Sequence, residues 1–185
     1  MRKTVLRFFT IADFEEEETW LRKMHASGWK FVSYVFCFYT FESCQPEDVI
    51  YRLDFKNAGQ TPDYMQMLAD FGWEYIDDCF GFLYFRKPAD RVQAEEDGEL
   101  FSDRESKLDL VTRIVKRRLL PLIVIFFCCV IPNFLRYSLG DEAGLAATVF
   151  SVFFGVMFVI YCGLIAYCGI KLRRLRKKFG EEGLL

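Results

Sequence analysis

From Ala143 to Ile170 the chain runs for 28 residues without a charged side chain. A helix rises 1.5 Å per residue, so this run exceeds the roughly 30 Å hydrocarbon core of a bilayer and would tilt or reach into the interface. A soluble domain of about this size rarely buries such a helix on all sides. A second uncharged run, Leu119 to Leu135, covers 17 residues, enough to span if Arg136 and Tyr137 extend into the interface. Pro121 falls in its first turn, where a missing N–H costs little. The two runs predict a transmembrane hairpin with spans at 119–137 and 143–170.

The flanks orient it. A basic juxtamembrane helix is expected over 107–118, with Lys107, Arg113, Lys116, Arg117 and Arg118, and a basic tail over 171–185, with Lys171, Arg173, Arg174, Arg176, Lys177 and Lys178. The loop between the runs holds only Arg136, so eleven basic residues stand against one. The positive-inside rule then places both termini in the cytoplasm of a two-pass cell-membrane protein. The same clusters suit anionic lipid headgroups. No signal-peptide pattern opens the chain, which puts the amino-terminal half in the cytosol with its thiols reduced. Ala147, Ser151, Gly155 and Gly163 are spaced by four or eight along the second run. This small-residue stripe would contact either the first run or a second copy in a homodimer.

The other half is written around an echo. "GWKFVSYVFCFYTF" (Gly28–Phe41) returns as "GWEYIDDCFGFLYF" (Gly72–Phe85), 44 residues later, with Gly, Trp and three Phe positions identical. A helical pattern precedes each copy. Asp13 stands before "FEEEETWLRKMHAS" as an expected N-cap, with Glu16 closing a capping box; Thr61 and Pro62 open "DYMQMLADF". Trp20/Tyr64, Leu21/Met65 and Met24/Leu68 then match as inward positions. Gly28 and Gly72 serve as helix-ending residues. A strand precedes each helix: "TVLRFFT", with Leu6 and Phe8 opposite Arg7, and "VIYRLDF", with Tyr51, Leu53 and Phe55 opposite Arg52 and Asp54.

Each aromatic stretch supplies one further strand, giving strand–helix–strand twice. The expected fold is therefore α+β: a ferredoxin-like duplicated βαβ domain over 1–88, joined by an acidic linker (89–106) to the membrane hairpin. In that topology the aromatic strands form the sheet edges, and Trp29 and Trp73 pack equivalently on the preceding helices. Arg7, Arg52 and Asp54 share the sheet face that the helices leave open, with Arg7 beside Arg52. That face is the candidate site for a protein partner or small ligand. Ser102 and Glu105 form a capping box for a helix running into the first span, and Phe101 either docks on the sheet or belongs to a flexible linker.

Composition narrows the function classes. Residues 1–106 carry 21 acidic and 12 basic side chains, a net of −9, which opposes nucleic-acid binding. The seven cysteines form no C-x-x-C pair and the chain has one histidine, so no metal or cofactor is expected. His25 reads as a dipole partner near a helix end, and "EEEE" at Glu15–Glu18 as a solvated helix start. Asp77 and Asp78 lack a partner histidine or phosphate-binding loop. No nucleophile elbow, phosphate loop or zinc-protease motif occurs, so no enzyme is expected.

"FFTIADFEEEETWLRKMHASGWKF", "YRLDF", "DFGWEYI", "YFRK" and "LFSDRESKL", followed by two apolar runs, resemble the bacterial family of domain of unknown function 2812 over residues 4–110. The resemblance implies a membrane protein, often encoded beside PadR-type transcription regulators, with no catalytic residues attributed. Two functions follow as expectations. One is a regulatory or sensory membrane protein whose cytosolic sheet binds a ligand or a regulator. The other is a structural or accessory subunit of an exporter-type membrane complex.

Overall fold

The structure, a computed structural model, describes residues 1–55, 62–92, 98, 100, 104–139 and 144–181, excepting the side chains of 104–107, 138–139 and 179–181. Thr61, the capping box of Ser102 and Glu105, and Phe101 lie outside what it describes. Two compact units emerge, Met1–Leu110 and Val111–Leu185.

In the first unit the order strand–helix–strand–strand occurs twice: β1 (Arg2–Leu6), α1 (Phe14–Ala26), β2 (Trp29–Val35), β3 (Phe38–Ser43), then β4 (Val49–Phe55), α2 (Pro62–Asp70), β5 (Glu74–Cys79), β6 (Phe82–Pro88). The strands form two antiparallel sheets, β1-β3-β2 and β4-β6-β5. This differs from the expected four-stranded sheet. Each aromatic stretch is a hairpin of two strands, and its second half is the centre of its sheet rather than an edge. β1 and β4 are edges of separate sheets, not adjacent central strands.

The hairpins turn on two residues each, Phe36–Cys37 and Phe80–Gly81. All four have positive φ: +46° and +69° in the first turn, +49° and +82° in the second. Such turns match the twist of paired strands, but they ordinarily recruit Asn, Asp or Gly. Phenylalanine and cysteine hide the first turn from a composition-based reading. Each β2/β3 and β5/β6 pairing also shifts register once, between Phe31 and Ser33 and between Tyr75 and Asp77.

Acids in the first turn of α1 and Lys23 in its last suit the helix dipole. Asp13 does not cap it: the carboxylate instead accepts from the Thr10 N–H at 2.8 Å and the Thr10 hydroxyl at 2.6 Å. Gly28 and Gly72 end the two helices at φ +83° and +84°, as left-handed helix-ending residues do.

The tryptophans are not equivalent. Trp73 is buried with Ile50, Leu68, Leu83 and Phe85 beneath α2, whereas Trp29 is only half-buried, with the Lys3 ammonium 5.1 Å from its ring.

The second unit is helical. α3 (Arg104–Ile114), α4 (Leu120–Ile125) and α5 (Ile131–Leu139) join through π-helical turns at Val115–Leu119 and Phe126–Val130; α6 (Leu145–Glu181) follows. Two stretches, Leu108–Tyr137 and Leu145–Lys178, are long and apolar enough to cross a membrane. Phe134 stacks on Phe158 at 5.1 Å and Tyr137 on Phe154 at 5.9 Å, so the helices pack by aromatic contacts. Elsewhere Val124, Phe127, Val159 and Ile160 face outward.

Loss of the Trp73 ring is expected to cost about 3–5 kcal/mol, as for a large core side chain. Trp29→Ala should cost clearly less. Denaturant midpoints of the full-length variants in detergent check this; equal losses would show that both rings are buried alike.

Candidate ligand site between the two sheets

α1 presents Phe14, Glu17, Leu21 and His25 along one buried stripe. The spacing of three and four residues is that of a core-facing helix face, and two of its four members are polar. Glu17 is 6% exposed. Its Oε1 accepts a hydrogen bond from the Tyr39 hydroxyl of β3 and another from the Tyr84 hydroxyl of β6, each 2.7 Å long. One carboxylate oxygen thus ties α1 to both sheets. Half of the acidic run expected to face water is turned inward: Glu18 Oε1 accepts the Leu53 N–H at 2.8 Å, and its Oε2 lies 3.3 Å from Arg52.

Aromatic rings surround this carboxylate. Phe31 lies 5.1 Å from Tyr84, and Trp20 meets Tyr39 edge-on at 4.8 Å. Tyr34 of β2 stacks on Tyr39 at 4.4 Å and approaches Tyr84 at 6.3 Å. Tyr34 also lies 6.4 Å from Phe80, which touches Phe36 at 5.5 Å. Phe36 and Phe80 are exposed at the hairpin turns, Tyr34 is half-buried, and Tyr39, Tyr84 and Glu17 are buried. The rings form a graded line from surface to carboxylate.

Among the described residues no lysine, arginine or histidine pairs with Glu17. Burial pushes its carboxyl up to about 6; the two phenolic hydrogen bonds work against this, and the nearby Asp13 charge adds to it. Tyr39 and Tyr84 are raised by burial and then by the Glu17 charge. Tyr34 is pushed up to about 12, chiefly by burial. His25 is lowered by burial and then by the Arg86 charge, and its Nδ1 lies 2.7 Å from the Tyr51 hydroxyl. It is a core histidine facing β4, not a surface dipole partner. Among the described residues no group of three or more His, Cys, Asp or Glu is placed to hold a metal ion.

The residues expected on an open face are dispersed. Arg7 follows β1 and lays its guanidinium over Phe9 at 5.0 Å and Trp20 at 4.8 Å. Arg52 engages Glu18. Asp54 is buried, its Oδ2 accepting the Tyr64 hydroxyl of α2 at 3.0 Å and its Oδ1 the Phe55 N–H. The Asp54 face of β4 is thus covered by α2, because the second sheet is packed on both sides. Arg52 and Asp54 share a strand, but Arg7 belongs with the other sheet.

The small-residue stripe divides as well. A Cβ on Gly155 would sit 3.5 Å from the Phe134 ring, so this glycine admits the partner helix. Ala147 and Ser151 are half-buried, whereas Gly163 is exposed and a Cβ there would meet nothing within 4 Å.

A family of proteins of unknown function, DUF2812, matches residues 13–124, from the start of α1 into the first apolar helix. The chain belongs to the DUF2812 family. Glu17, Tyr34, Tyr39 and Tyr84 fall within the DUF2812 match, and α6 lies beyond it. No curated protein and no solved structure matches the chain.

A raised carboxyl makes a signed prediction. The folded unit holds the Glu17 proton more tightly than the unfolded chain, so this group's stabilising contribution is full below about pH 4.5 and is lost as pH rises through about 6. The difference corresponds to about 2 kcal/mol. Glu17→Gln should therefore stabilise the unit at pH 7.5 relative to pH 4.5, read as the pH dependence of the wild-type-minus-variant unfolding free energy. A flat difference would show that the carboxylate is ionised as readily inside as outside.

Proposed function

We propose that the chain is a membrane-anchored, non-enzymatic regulatory protein whose amino-terminal unit senses a small apolar ligand taken up between its two sheets. The observation that carries this reading is the line of rings from Phe36 and Phe80 through Tyr34 to Tyr39 and Tyr84, ending on a buried carboxylate. A core needing only to be stable would end its hairpins in Asn-Gly and leave no carboxylate inside. Exposed phenylalanines in left-handed turns store backbone strain, a feature that clusters where structures bind. Ligand uptake offers a signal; the two apolar helices and their basic flanks support anchoring at the cytoplasmic face. A soluble transcription regulator is the partner class this arrangement suits.

The internal symmetry supports a duplicated module. Helix-ending glycines, register shifts and hairpin turns recur 44 residues apart. Each module carries the strand–helix–strand–strand opening of the ferredoxin-like order, so the domain reads as two such modules rather than one complete ferredoxin-like copy.

The test uses the full chain in nanodiscs and the neutral fluorescent probe N-phenyl-1-naphthylamine. Energy transfer from tryptophan to the probe should saturate at one probe per chain and be lost in the Phe36→Ser, Phe80→Ser double variant. Transfer that rises without saturation, alike in both proteins, overturns ligand uptake.

A second reading, an accessory subunit of a membrane complex, is favoured by the open surface at Gly163. Purification in mild detergent separates the two, a soluble regulator supporting the first and an integral membrane partner the second. Orientation is checked with a cysteine at Ser138, which should react with an impermeant maleimide on intact cells beyond the parent chain's background. Reaction only after permeabilisation would reverse the topology.

A further inference from the structure

The line of rings has chemically different ends. At the surface, Phe36 and Phe80 meet edge-on at 5.5 Å and are 73% and 49% exposed. At the buried end, both phenolic hydroxyls converge on Oε1 of Glu17. We propose that the packed rings between the hairpin turns part to admit a hydrophobic organic cation, of the quaternary ammonium or phosphonium class, with its charge held by Glu17 and its body against Tyr34, Tyr39 and Tyr84. This rests on the ligand-uptake reading above and specifies its substrate class.

Charge selects the cation. An ionised carboxylate out of water is costly unless a positive charge accompanies it. The described residues supply Glu17 with hydroxyl donors but no cation, and Asp13 adds a second negative charge nearby. An anion is repelled by this field, and a neutral ligand gains nothing from it. The rings select an organic cation over an inorganic one. Tyrosine faces attract a cation through their quadrupoles, and more strongly where water is excluded. Their apolar area also stabilises the body of a large ion. A small metal ion would lose its hydration shell where, among the described residues, no group of three or more His, Cys, Asp or Glu is placed to replace it.

Geometry supplies the route. Tyr34 is half-buried between the exposed turns and the buried phenols, so entry displaces the Phe36–Phe80 contact and leads along Tyr34. The left-handed backbone at Phe36 and Phe80 holds both rings at the surface despite its strain.

The experiment uses the full chain in zwitterionic-lipid nanodiscs, tetraphenylphosphonium as the cation and triphenylphosphine oxide as its neutral counterpart, followed by tryptophan fluorescence. At pH 7.5 the phosphonium should saturate at one per chain and bind at least about tenfold more tightly than the oxide, a difference of about 1.4 kcal/mol. Glu17→Gln should erase that preference.

Wild-type protein at pH 5 should lose the preference too, because Glu17 then takes up its proton. Of the other groups around it, Tyr34, Tyr39 and Tyr84 and the Cys79 thiol are all raised, Glu18 and Arg52 pair with each other, and the Asp13 carboxylate is held by Thr10. The pH measurement needs no variant and stands even if Glu17→Gln fails to fold. Cation and oxide binding equally well, or a preference that survives both Glu17→Gln and pH 5, overturns the cation assignment and leaves ligand uptake standing. Absence of saturable binding by either compound overturns both.

Discussion

A carboxylate shut between two sheets has to find donors or stay neutral, and the first unit is arranged around that requirement. Glu17 accepts hydroxyls from β3 and β6 on one oxygen, so a single atom sets the spacing of α1 against both sheets. Hydrogen bonds to a charged group contribute about 1.5–3 kcal/mol each, yet the carboxyl is still raised to about 6. Desolvation therefore outweighs the two phenols. The site is stable as built, but it is held away from the best arrangement for a negative charge, and such a site is one that a positive charge can improve. The same stripe of α1 carries His25 to Tyr51, so the helix makes polar contacts with the second sheet at both of its ends.

Edge strands explain much of the remaining polar chemistry. Among the described residues β4 pairs only with β6, leaving backbone donors on its other side. Glu18 accepts the Leu53 N–H, and the Asp54 side chain accepts the Phe55 N–H. Acidic residues that favour the start of α1 through the helix dipole thus also close a sheet edge contributed by the other half of the unit. Arg52 and Asp54 are part of this closure. Arg7 is held over Phe9 and Trp20, where a guanidinium is favoured by the ring faces.

The second unit's two long stretches are apolar enough to cross a membrane, and close packing and aromatic stacking hold them together. Gly155 admits the Phe134 ring, and Phe158, Phe154 and Tyr137 fill the space to either side. Gly163 takes no part in this contact, so equal spacing along one helix hides two unlike environments.

Local patterns carried most of the architecture. Helix α1 with its acidic first turn, the glycines that end both helices, the 44-residue echo and the two apolar helices follow from spacing and from steric or solvation preferences that act within a few residues. The inward position of Glu17 was also legible, since Phe14, Leu21 and His25 share its helical stripe, but a run of four glutamates reads as solvated unless each is placed on the wheel.

Three decisions belonged to the tertiary structure alone. Phe36–Cys37 became a turn because β3 pairs with β2 across it and with β1 on its other side, and that sheet overrides the residues' reluctance to take positive φ. The Asp54 face was covered because α2 packs there, which alternation along β4 cannot report. Glu17, Tyr39 and Tyr84 met because two sheets close on one helix. Periodicity tells which residues share a face; only packing decides what that face meets, since the partners lie as far as 67 residues away along the chain.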